Sequence, residues 1–222
     1  MLQDTIFSEG EGDAWFERNR GVYDAGQDPA LRLLSAQSIR LRKVLEIGSS
    51  RGDRLAALHA SYGSAVTGVE PSASAVTEGR EIFPAIEFFV GTAGSLPLKD
   101  ESFDLIITNG VFCWIDRKSL LVSAAEIDRV LRSNGHLLIG DFAPFSPKKV
   151  RYHHRADLEL YTYKQDYSAL FLGTAGYTLV AQQMVDHRSM RAGDDIPENE
   201  RFGVTLLKKV AGGTYTSQAP PV

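Results

Sequence analysis

The turn that follows the run Val44-Leu45-Glu46-Ile47 constrains the fold of this chain more than any other feature of the sequence. The run is short and aliphatic, which is typical of a buried strand. Gly48 and Gly52 follow it at Gly-x-x-x-Gly spacing, and a helical pattern begins at Arg54. Two glycines in a strand-to-helix turn let a ligand approach the backbone N–H groups closely. The segment therefore predicts the first strand and the ligand-binding turn of an α/β sheet.

Strand patterns and helix patterns alternate along the chain. We predict helices over residues 29–42, 54–60, 72–82 and 119–131, and strands over residues 44–47, 65–70, 87–90, 103–108, 136–142, 177–185 and 202–209. Alternating strands and helices form βαβ units around a parallel sheet. The last two strands have no long helix between them, which indicates a terminal hairpin. We therefore expect an α/β, Rossmann-like, doubly wound, mostly parallel seven-stranded sheet with an antiparallel C-terminal hairpin strand.

Composition narrows the classes of partner. The formal net charge of −4 and the isoelectric point near 5.8 count against a nucleic-acid-binding protein. Cys113 is the only cysteine of the sequence, so no internal disulfide forms, which suits a reducing compartment. The first residues lack the order of a signal peptide, and no apolar run approaches the ~20 residues of a membrane helix. We expect a cytoplasmic monomer or homodimer without a nucleic-acid or membrane partner.

The glycine spacing narrows the class of ligand. A dinucleotide fingerprint reads Gly-x-Gly-x-x-Gly, but position 50 is serine, which counts against an NAD-dependent dehydrogenase. No Gly-Lys-Ser/Thr follows the turn, so a P-loop is not favoured either. Glu70 ends the second predicted strand, where an acid can bind both hydroxyls of a ribose. Further turns follow the third and fourth strands, at residues 91–98 and 109–115.

Together, residues 44–52, 68–72, 91–98 and 103–115 resemble the ordered motifs of class I S-adenosylmethionine-dependent methyltransferases. The resemblance covers residues 40–142 and implies S-adenosylmethionine as cofactor and S-adenosylhomocysteine as product. In that family, N-terminal segments cover the bound cofactor, so the resemblance also adds Trp15 and Asn19 to the expected site. The cofactor-binding residues that the resemblance implies are Trp15, Asn19, Glu46, Gly48, Ser49, Ser50, Gly52, Glu70, Pro71, Ser72, Thr92, Ala93, Asn109, Gly110 and Val111.

Two details refine the resemblance. The family often has an aspartate where Thr92 stands, so the contact to the adenine amino group would come from Thr92 and the backbone of Ala93 and Gly94. Residues 10–19 and the stretches 152–154 and 161–167 are similar to methylases associated with pseudaminic-acid biosynthesis. This similarity implies a methyl acceptor from nonulosonic-acid or surface-glycan metabolism.

The methyl acceptor is expected beyond the carboxyl ends of the strands and in the polar insertion of residues 143–176. A hydroxyl acceptor needs a base, for which His153, His154 and Asp141 are candidates. Polar and aromatic residues nearby are candidates for acceptor binding. A short basic run is either a solvated surface or a group of cations that attracts an anionic acceptor. No metal-ligand spacing is present. The candidates for acceptor binding are Tyr163, Asp166 and Tyr167, and the basic run is Lys148, Lys149 and Arg151.

The sequence predicts one domain over residues 1–222 that transfers a methyl group to O or N of a small polar metabolite. Within it we expect an N-terminal lid (1–40), the cofactor-binding core (41–142), the acceptor-side insertion (143–176), the C-terminal strands (177–210) and a flexible tail (211–222). Two alternatives stay open, namely a regulatory module that binds the cofactor without turnover, and a methyltransferase that acts on a protein or nucleic acid. The acidic balance and the lack of an Asn/Asp-Pro-Pro-Tyr-type motif after the fourth strand count against the second.

Overall fold

The computed structural model describes residues 3–215 of the chain, in which two layers of helices enclose a mixed sheet. Its strands are β1 (Lys43–Ile47), β2 (Ala65–Glu70), β3 (Ile86–Val90), β4 (Phe103–Asn109), β5 (Leu131–Phe142), β6 (Lys148–Arg151), β7 (Tyr161–Lys164), β8 (Tyr177–Asp186) and β9 (Arg201–Lys209). Its α-helices are α1 (Gln3–Ile6), α2 (Gly12–Asn19), α3 (Pro29–Ser35), α4 (Asp53–Tyr62), α5 (Ala73–Ile82), α6 (Leu120–Val130) and α7 (Ala169–Leu172). None of the helices described is long and apolar enough to cross a membrane.

The seven-stranded sheet has the order β3-β2-β1-β4-β5-β9-β8. Strands β1 to β5 pair in parallel, and β9 runs antiparallel to both of its neighbours. The predicted α/β fold is therefore confirmed, including the terminal hairpin formed by β8 and β9. Strand order reverses between β1 and β4, which opens a crevice at the carboxyl ends of these two strands.

Alternate residues of the central strands enter two separate cores. Leu45 and Ile106 pack with α6 and α7 on one face of the sheet, whereas Val44 and Leu105 pack with α3, α4 and α5 on the other. All four side chains are fully buried. Side chains of a strand point alternately to its two faces, so a strand that is covered on both sides reads as a continuous apolar run. This is why β1 and β4, which are mostly apolar, could be predicted from the sequence.

One predicted helix is longer than the structure shows, and another agrees with it to within one residue at each end. The helix predicted over residues 29–42 ends at Ser35, because the chain then extends towards the sheet, where the N–H groups of Arg42 and Lys43 donate to Asp104. The helix predicted over residues 119–131 spans Leu120–Val130, and β5 begins at Leu131 instead of at the predicted residue 136. Asn134 still adopts a positive φ of 63°, but within a bulge at the start of β5.

The insertion at residues 143–176 contains a two-stranded antiparallel sheet of β6 and β7, followed by the short helix α7. The sequence patterns did not predict these two strands, because each has only four residues and three of the four in β6 are charged. Lys148 lies opposite Lys164 in the hairpin, and Val150 lies opposite Thr162. Residues 216–222 of the predicted flexible tail lie outside the described residues.

Candidate active site

A cavity of about 540 Å³ opens at the crevice between β1 and β4. The turns after β1, β2, β3 and β4 line one part of it, and the N-terminal segment and the β6–β7 hairpin line the rest. This volume is typical of a site for a small molecule. The predicted cofactor-binding residues that line it are Trp15, Asn19, Gly48, Glu70, Pro71, Thr92, Ala93, Asn109, Gly110 and Val111.

The turn after β1 requires both of its glycines, for different reasons. Gly48 has a φ of 71°, and a Cβ there would lie 2.5 Å from Val111 Cγ2, in the wall of the cavity. Gly52 has a φ of 94°, and a Cβ there would lie 2.6 Å from the Phe88 ring. The first glycine therefore keeps the cavity open, and the second lets α4 begin close to the sheet.

Ser49, Ser50 and Gly52 belong to the turn but do not line the cavity. Ser50 adopts a φ of 49°, and its N–H donates to Glu70 Oε2 over 2.8 Å. The Gly52 N–H donates to the carbonyl of Ser49 over 2.9 Å. The structure thus places these three residues behind the cavity wall, where they set the path of the backbone.

Glu70 presents a buried carboxylate to the cavity. Its two oxygens accept hydrogen bonds from the backbone N–H groups of Ser50 (2.8 Å) and Ser72 (3.0 Å). No cation lies within 4.0 Å of it among residues 3–215. Burial raises the pKa of Glu70 to about 7, against the two hydrogen bonds, which lower it. The carboxylate is thus held in place with lone pairs left for hydroxyl donors.

Glu46 and Ser72 lie outside the cavity lining. Glu46 is fully buried and accepts from Arg54, which also donates to Asp28 over 2.7 Å. Burial raises the pKa of Glu46 to about 7, and the cation of Arg54 opposes that shift. Glu46 Oε2 is buried without a partner among the described residues, so one acceptor position stays open. Ser72 caps α5, as the sequence predicts, by accepting from the N–H of Ala75.

The turn after β3 faces a serine that sequence reasoning missed. Ser123 lines the cavity from α6, is fully buried, and its Oγ has no hydrogen-bond partner among residues 3–215. This Oγ lies 3.7 Å from the position of a Cβ on Gly94, beside Thr92. The available signal was a polar residue at the i+3 position of the apolar face that begins at Leu120.

The turn after β4 brings a second unpartnered group to the cavity. Asn109 Oδ1 is buried without a partner in the described part of the chain, and it rests against Gly140. Gly110 adopts a φ of 67° and donates its N–H to the carbonyl of Gly140 over 2.7 Å. The turn is therefore fixed to β5 while Asn109 and Val111 stand at the cavity.

The N-terminal segment closes one side of the cavity. Asp13 on α2 accepts from the hydroxyl of Ser72 (2.6 Å) and from the N–H of Ser74 (3.0 Å), which ties the segment to the start of α5. Trp15 lines the cavity, while the neighbouring Phe16 is buried in packing. The segment thus combines a covering role and a packing role. Tyr23, which follows α2, lies outside the cavity lining and donates to Asp28.

The three candidate bases lie in different surroundings. His153 and His154 line the cavity from its exposed rim, with ring centroids 3.9 Å apart. Desolvation and the adjacent His153 lower the pKa of His154. Asp141 does not line the cavity, because it is buried behind the wall and accepts from the N–H groups of Cys113 (3.1 Å) and Phe142 (2.8 Å). Burial raises the pKa of Asp141 to about 7.

The polar aromatic candidates of the insertion lie outside the cavity. Tyr167 is buried, stacks on Phe112 at 5.2 Å and donates to the carbonyl of Tyr163. Asp166 accepts from the N–H and hydroxyl of Ser168. Tyr163 thus lies in β7, and Asp166 and Tyr167 lie in the loop after it, where their contacts fix the path of the chain. Within residues 3–215, no group of three His, Cys, Asp or Glu side chains is placed to hold a metal ion.

Comparisons with known proteins fit this geometry. Residues 45–139 match the family model described as a methyltransferase domain. The chain is 29% identical to the uncharacterized methyltransferase YcgJ of Bacillus subtilis, over 66% of this chain and 58% of that protein. It is 32% identical to the phthiotriol/phenolphthiotriol dimycocerosates methyltransferase of Mycobacterium leprae, over 46% of this chain and 38% of that protein. The chain thus spans less than two thirds of the length of these relatives.

Solved structures show the same fold. The 1,6-didemethyltoxoflavin-N1-methyltransferase of Burkholderia thailandensis, solved with 1,6-didemethyltoxoflavin and S-adenosylhomocysteine bound, aligns with a TM-score of 0.71. The alignment covers 93% of this chain and 88% of that chain at 19% sequence identity. The present chain therefore has the fold of class I methyltransferases, and the segment that matches the family model carries the four motifs.

Proposed function

We propose that this protein transfers a methyl group from S-adenosylmethionine to an oxygen or nitrogen atom of a small polar metabolite. The observation that carries the proposal is the cavity at the switch point, where the Gly48 turn and the buried Glu70 carboxylate meet. The match to a methyltransferase domain supports the reaction type. The S-adenosylhomocysteine bound in the Burkholderia structure of the same fold supports the cofactor.

In this proposal, different lining residues contact different parts of the cofactor. Glu70 accepts from the ribose hydroxyls, and Thr92, Ala93 and Ser123 surround the adenine. Gly48 leaves room for the methionine portion beside Val111. S-adenosylmethionine supplies an already activated methyl group, so the protein has to align the acceptor with the methyl–sulfur axis.

The acceptor enters on the side of the β6–β7 hairpin in this proposal. His153 and His154 are the candidate bases there, because both line the cavity and histidine titrates near neutral pH. The polar and cationic lining suits a hydroxylated acid, and we propose a nonulosonic-acid or surface-glycan precursor as the acceptor. The resemblance of residues 10–19, 152–154 and 161–167 to methylases of pseudaminic-acid biosynthesis supports this choice.

Isothermal titration with S-adenosylmethionine and S-adenosylhomocysteine tests the cofactor assignment. We expect dissociation constants in the micromolar range for both ligands, which corresponds to about −8 kcal/mol. Absence of heat with either ligand would contradict the proposal. Transfer of a labelled methyl group to small nonulosonic acids, compared with neutral sugars, then tests the acceptor class.

Replacement of Ser123 by alanine is expected to weaken the binding of S-adenosylhomocysteine about fivefold. The reason is that Ser123 Oγ is a buried, unpartnered group beside the predicted adenine site, and a hydrogen bond of this kind contributes about 1 kcal/mol. Isothermal titration measures the change, and S-inosylhomocysteine, which lacks the adenine amino group, should lose less affinity in this variant. Ser133→Ala is the control, since Ser133 is exposed and pairs with Glu101. Equal losses for the two ligands would show that Ser123 does not contact the amino group.

A further inference from the structure

Two cations of the β6–β7 hairpin line the cavity, namely Lys164 on β7 and Arg151 at the end of β6, and Arg151 donates to the carbonyl of Ala156. Thr162 and Lys164 on β7 line the cavity, and Val150 on β6 lies opposite Thr162. The alternate residues Tyr161 and Tyr163 do not line the cavity. The Tyr161 ring centre lies 3.7 Å from Lys149 Nζ, and the Tyr163 ring centre lies 4.3 Å from Arg117 Cζ. Alternation along the strand therefore places Lys164 and Thr162 together on the inner face.

Lys164 has no acidic partner there. Among residues 3–215, no carboxylate oxygen lies within 4.0 Å of its Nζ, which rests 3.7 Å from the centre of the Phe142 ring and 3.4 Å from the carbonyl of Asn199. The residue directly across the hairpin is Lys148, whose own charge is matched by Glu198 at 3.1 Å. Two like charges in register oppose hairpin formation. Glu198 offsets the charge of Lys148, so the charge that an anion in the cavity would offset is that of Lys164.

The groups around Lys164 are also hydrogen-bond donors. His187 lines the cavity with its ring centroid 4.6 Å from that of Phe142, so one aromatic ring supports both Lys164 and His187. Thr162 adds a hydroxyl on the same face. The more distant acids are Glu200, whose carboxylate pairs with Arg188, and the buried Asp141. Donors thus outnumber acceptors at this end of the cavity.

We propose that Lys164, with Thr162 and His187 beside it, binds an anionic oxygen group of the methyl acceptor, either a carboxylate or a phosphate. This inference rests on the proposed function, because it assigns the acceptor's charge. Glu70 ends β2 and Phe142 ends β5, three strand positions apart in the sheet. Three steps of ~4.8 Å separate the two ends of the cavity by roughly 14 Å. That distance leaves room for the cofactor at one end and the acceptor at the other.

Calorimetric titration of inorganic phosphate and of pyruvate tests the subsite, with the protein saturated with S-adenosylhomocysteine. We expect millimolar binding of at least one anion to the unaltered protein, and the anion that binds distinguishes phosphate from carboxylate recognition. Lys164→Met should weaken this binding at least about tenfold, because a charge-assisted hydrogen bond is lost. Lys149→Met removes the same charge from the outer face of the hairpin and should change it less than twofold. Lys164→Arg, which keeps the charge, should bind within about threefold of the unaltered protein.

Two results would overturn the subsite. One is that neither anion binds the unaltered protein up to about 50 mM, and the other is that Lys164→Met and Lys149→Met lose equal affinity. Loss of anion binding in Lys164→Arg to the level of Lys164→Met would also count against it. S-adenosylhomocysteine affinity in the same samples separates the two proposals. Cofactor binding without anion binding refutes the subsite alone, whereas failure to bind the cofactor refutes the proposed function.

Discussion

Replacement of Gly48 by valine is expected to abolish the binding of S-adenosylhomocysteine in a chain that still folds. A Cβ at this position would lie 2.5 Å from Val111 Cγ2, and a branched side chain would occupy the cavity. The positive φ of 71° adds strain of about 1–2 kcal/mol for an L-residue. We expect affinity to fall more than about 100-fold, which is close to 3 kcal/mol. Calorimetry measures the affinity, and circular dichroism during heating measures the fold.

Gly63→Val is the matched control for backbone strain. Gly63 has a φ of 65°, ends α4, and has no atom within 4 Å of the position of a Cβ. The control should lose similar stability and keep its affinity for S-adenosylhomocysteine. Near-normal affinity in Gly48→Val would show that the cofactor site has been misplaced. A similar loss of affinity in both variants would show that strain alone accounts for the effect.

The sheet and its ligand turns were predictable because their signals are local. Residues 44–47 and 103–108 are covered on both faces, so each is mostly apolar, with Glu46 in the first and Asp104 and Thr108 in the second as the polar exceptions. The turns after parallel strands meet at one edge of the sheet, which is how Glu70 and Asn109 could be assigned to one site from their positions in the sequence. The glycines at positions 48 and 52 marked the first of these turns.

The acceptor side was not predictable in the same way, because its residues are brought together by pairing over long distances. Strands β6 and β7 are four residues each and charged, so neither shows a buried pattern. Lys164 reaches the cavity because the hairpin folds over Phe142. His187 reaches it from the residue directly after β8. Conversely, Asp141 lies at the end of β5 as expected, yet its carboxylate accepts from backbone N–H groups behind the cavity wall.

The binding of S-adenosylhomocysteine is expected to weaken as the pH falls from 8 to 6, and Glu70 is the reason. Ionised Glu70 accepts two hydroxyl donors, whereas the protonated form loses part of that capacity. With a pKa of about 7, the ionised fraction falls about tenfold over this interval. Asp13, whose charge acts on Glu70, has its pKa lowered by the hydroxyl of Ser72, so it stays ionised throughout. Calorimetry at several pH values should therefore show up to about a tenfold change in affinity.

Two variants test whether Glu70 carries this pH dependence. Glu70→Gln should weaken binding at pH 8 by about tenfold and remove the pH dependence, because the amide no longer titrates. Asp141→Asn is the matched control, since Asp141 is equally buried, accepts from two backbone N–H groups and also has a pKa raised to about 7. It lies outside the cavity lining, so its variant should keep the pH dependence. A pH dependence that survives in Glu70→Gln would assign the titration to another group.

The same pKa shift has the opposite consequence for the unliganded protein. Glu70 has a higher pKa in the folded chain than in the unfolded chain, so the folded state binds more protons between pH 4.5 and 7. Its contribution to the free energy of unfolding is fully present below pH 4.5 and is lost as the pH rises through 7. Saturation with S-adenosylhomocysteine should reduce that loss, because ribose hydroxyls stabilise the ionised carboxylate. The melting temperature should therefore rise more on ligand addition at pH 8 than at pH 6, and in Glu70→Gln the two increments should be equal.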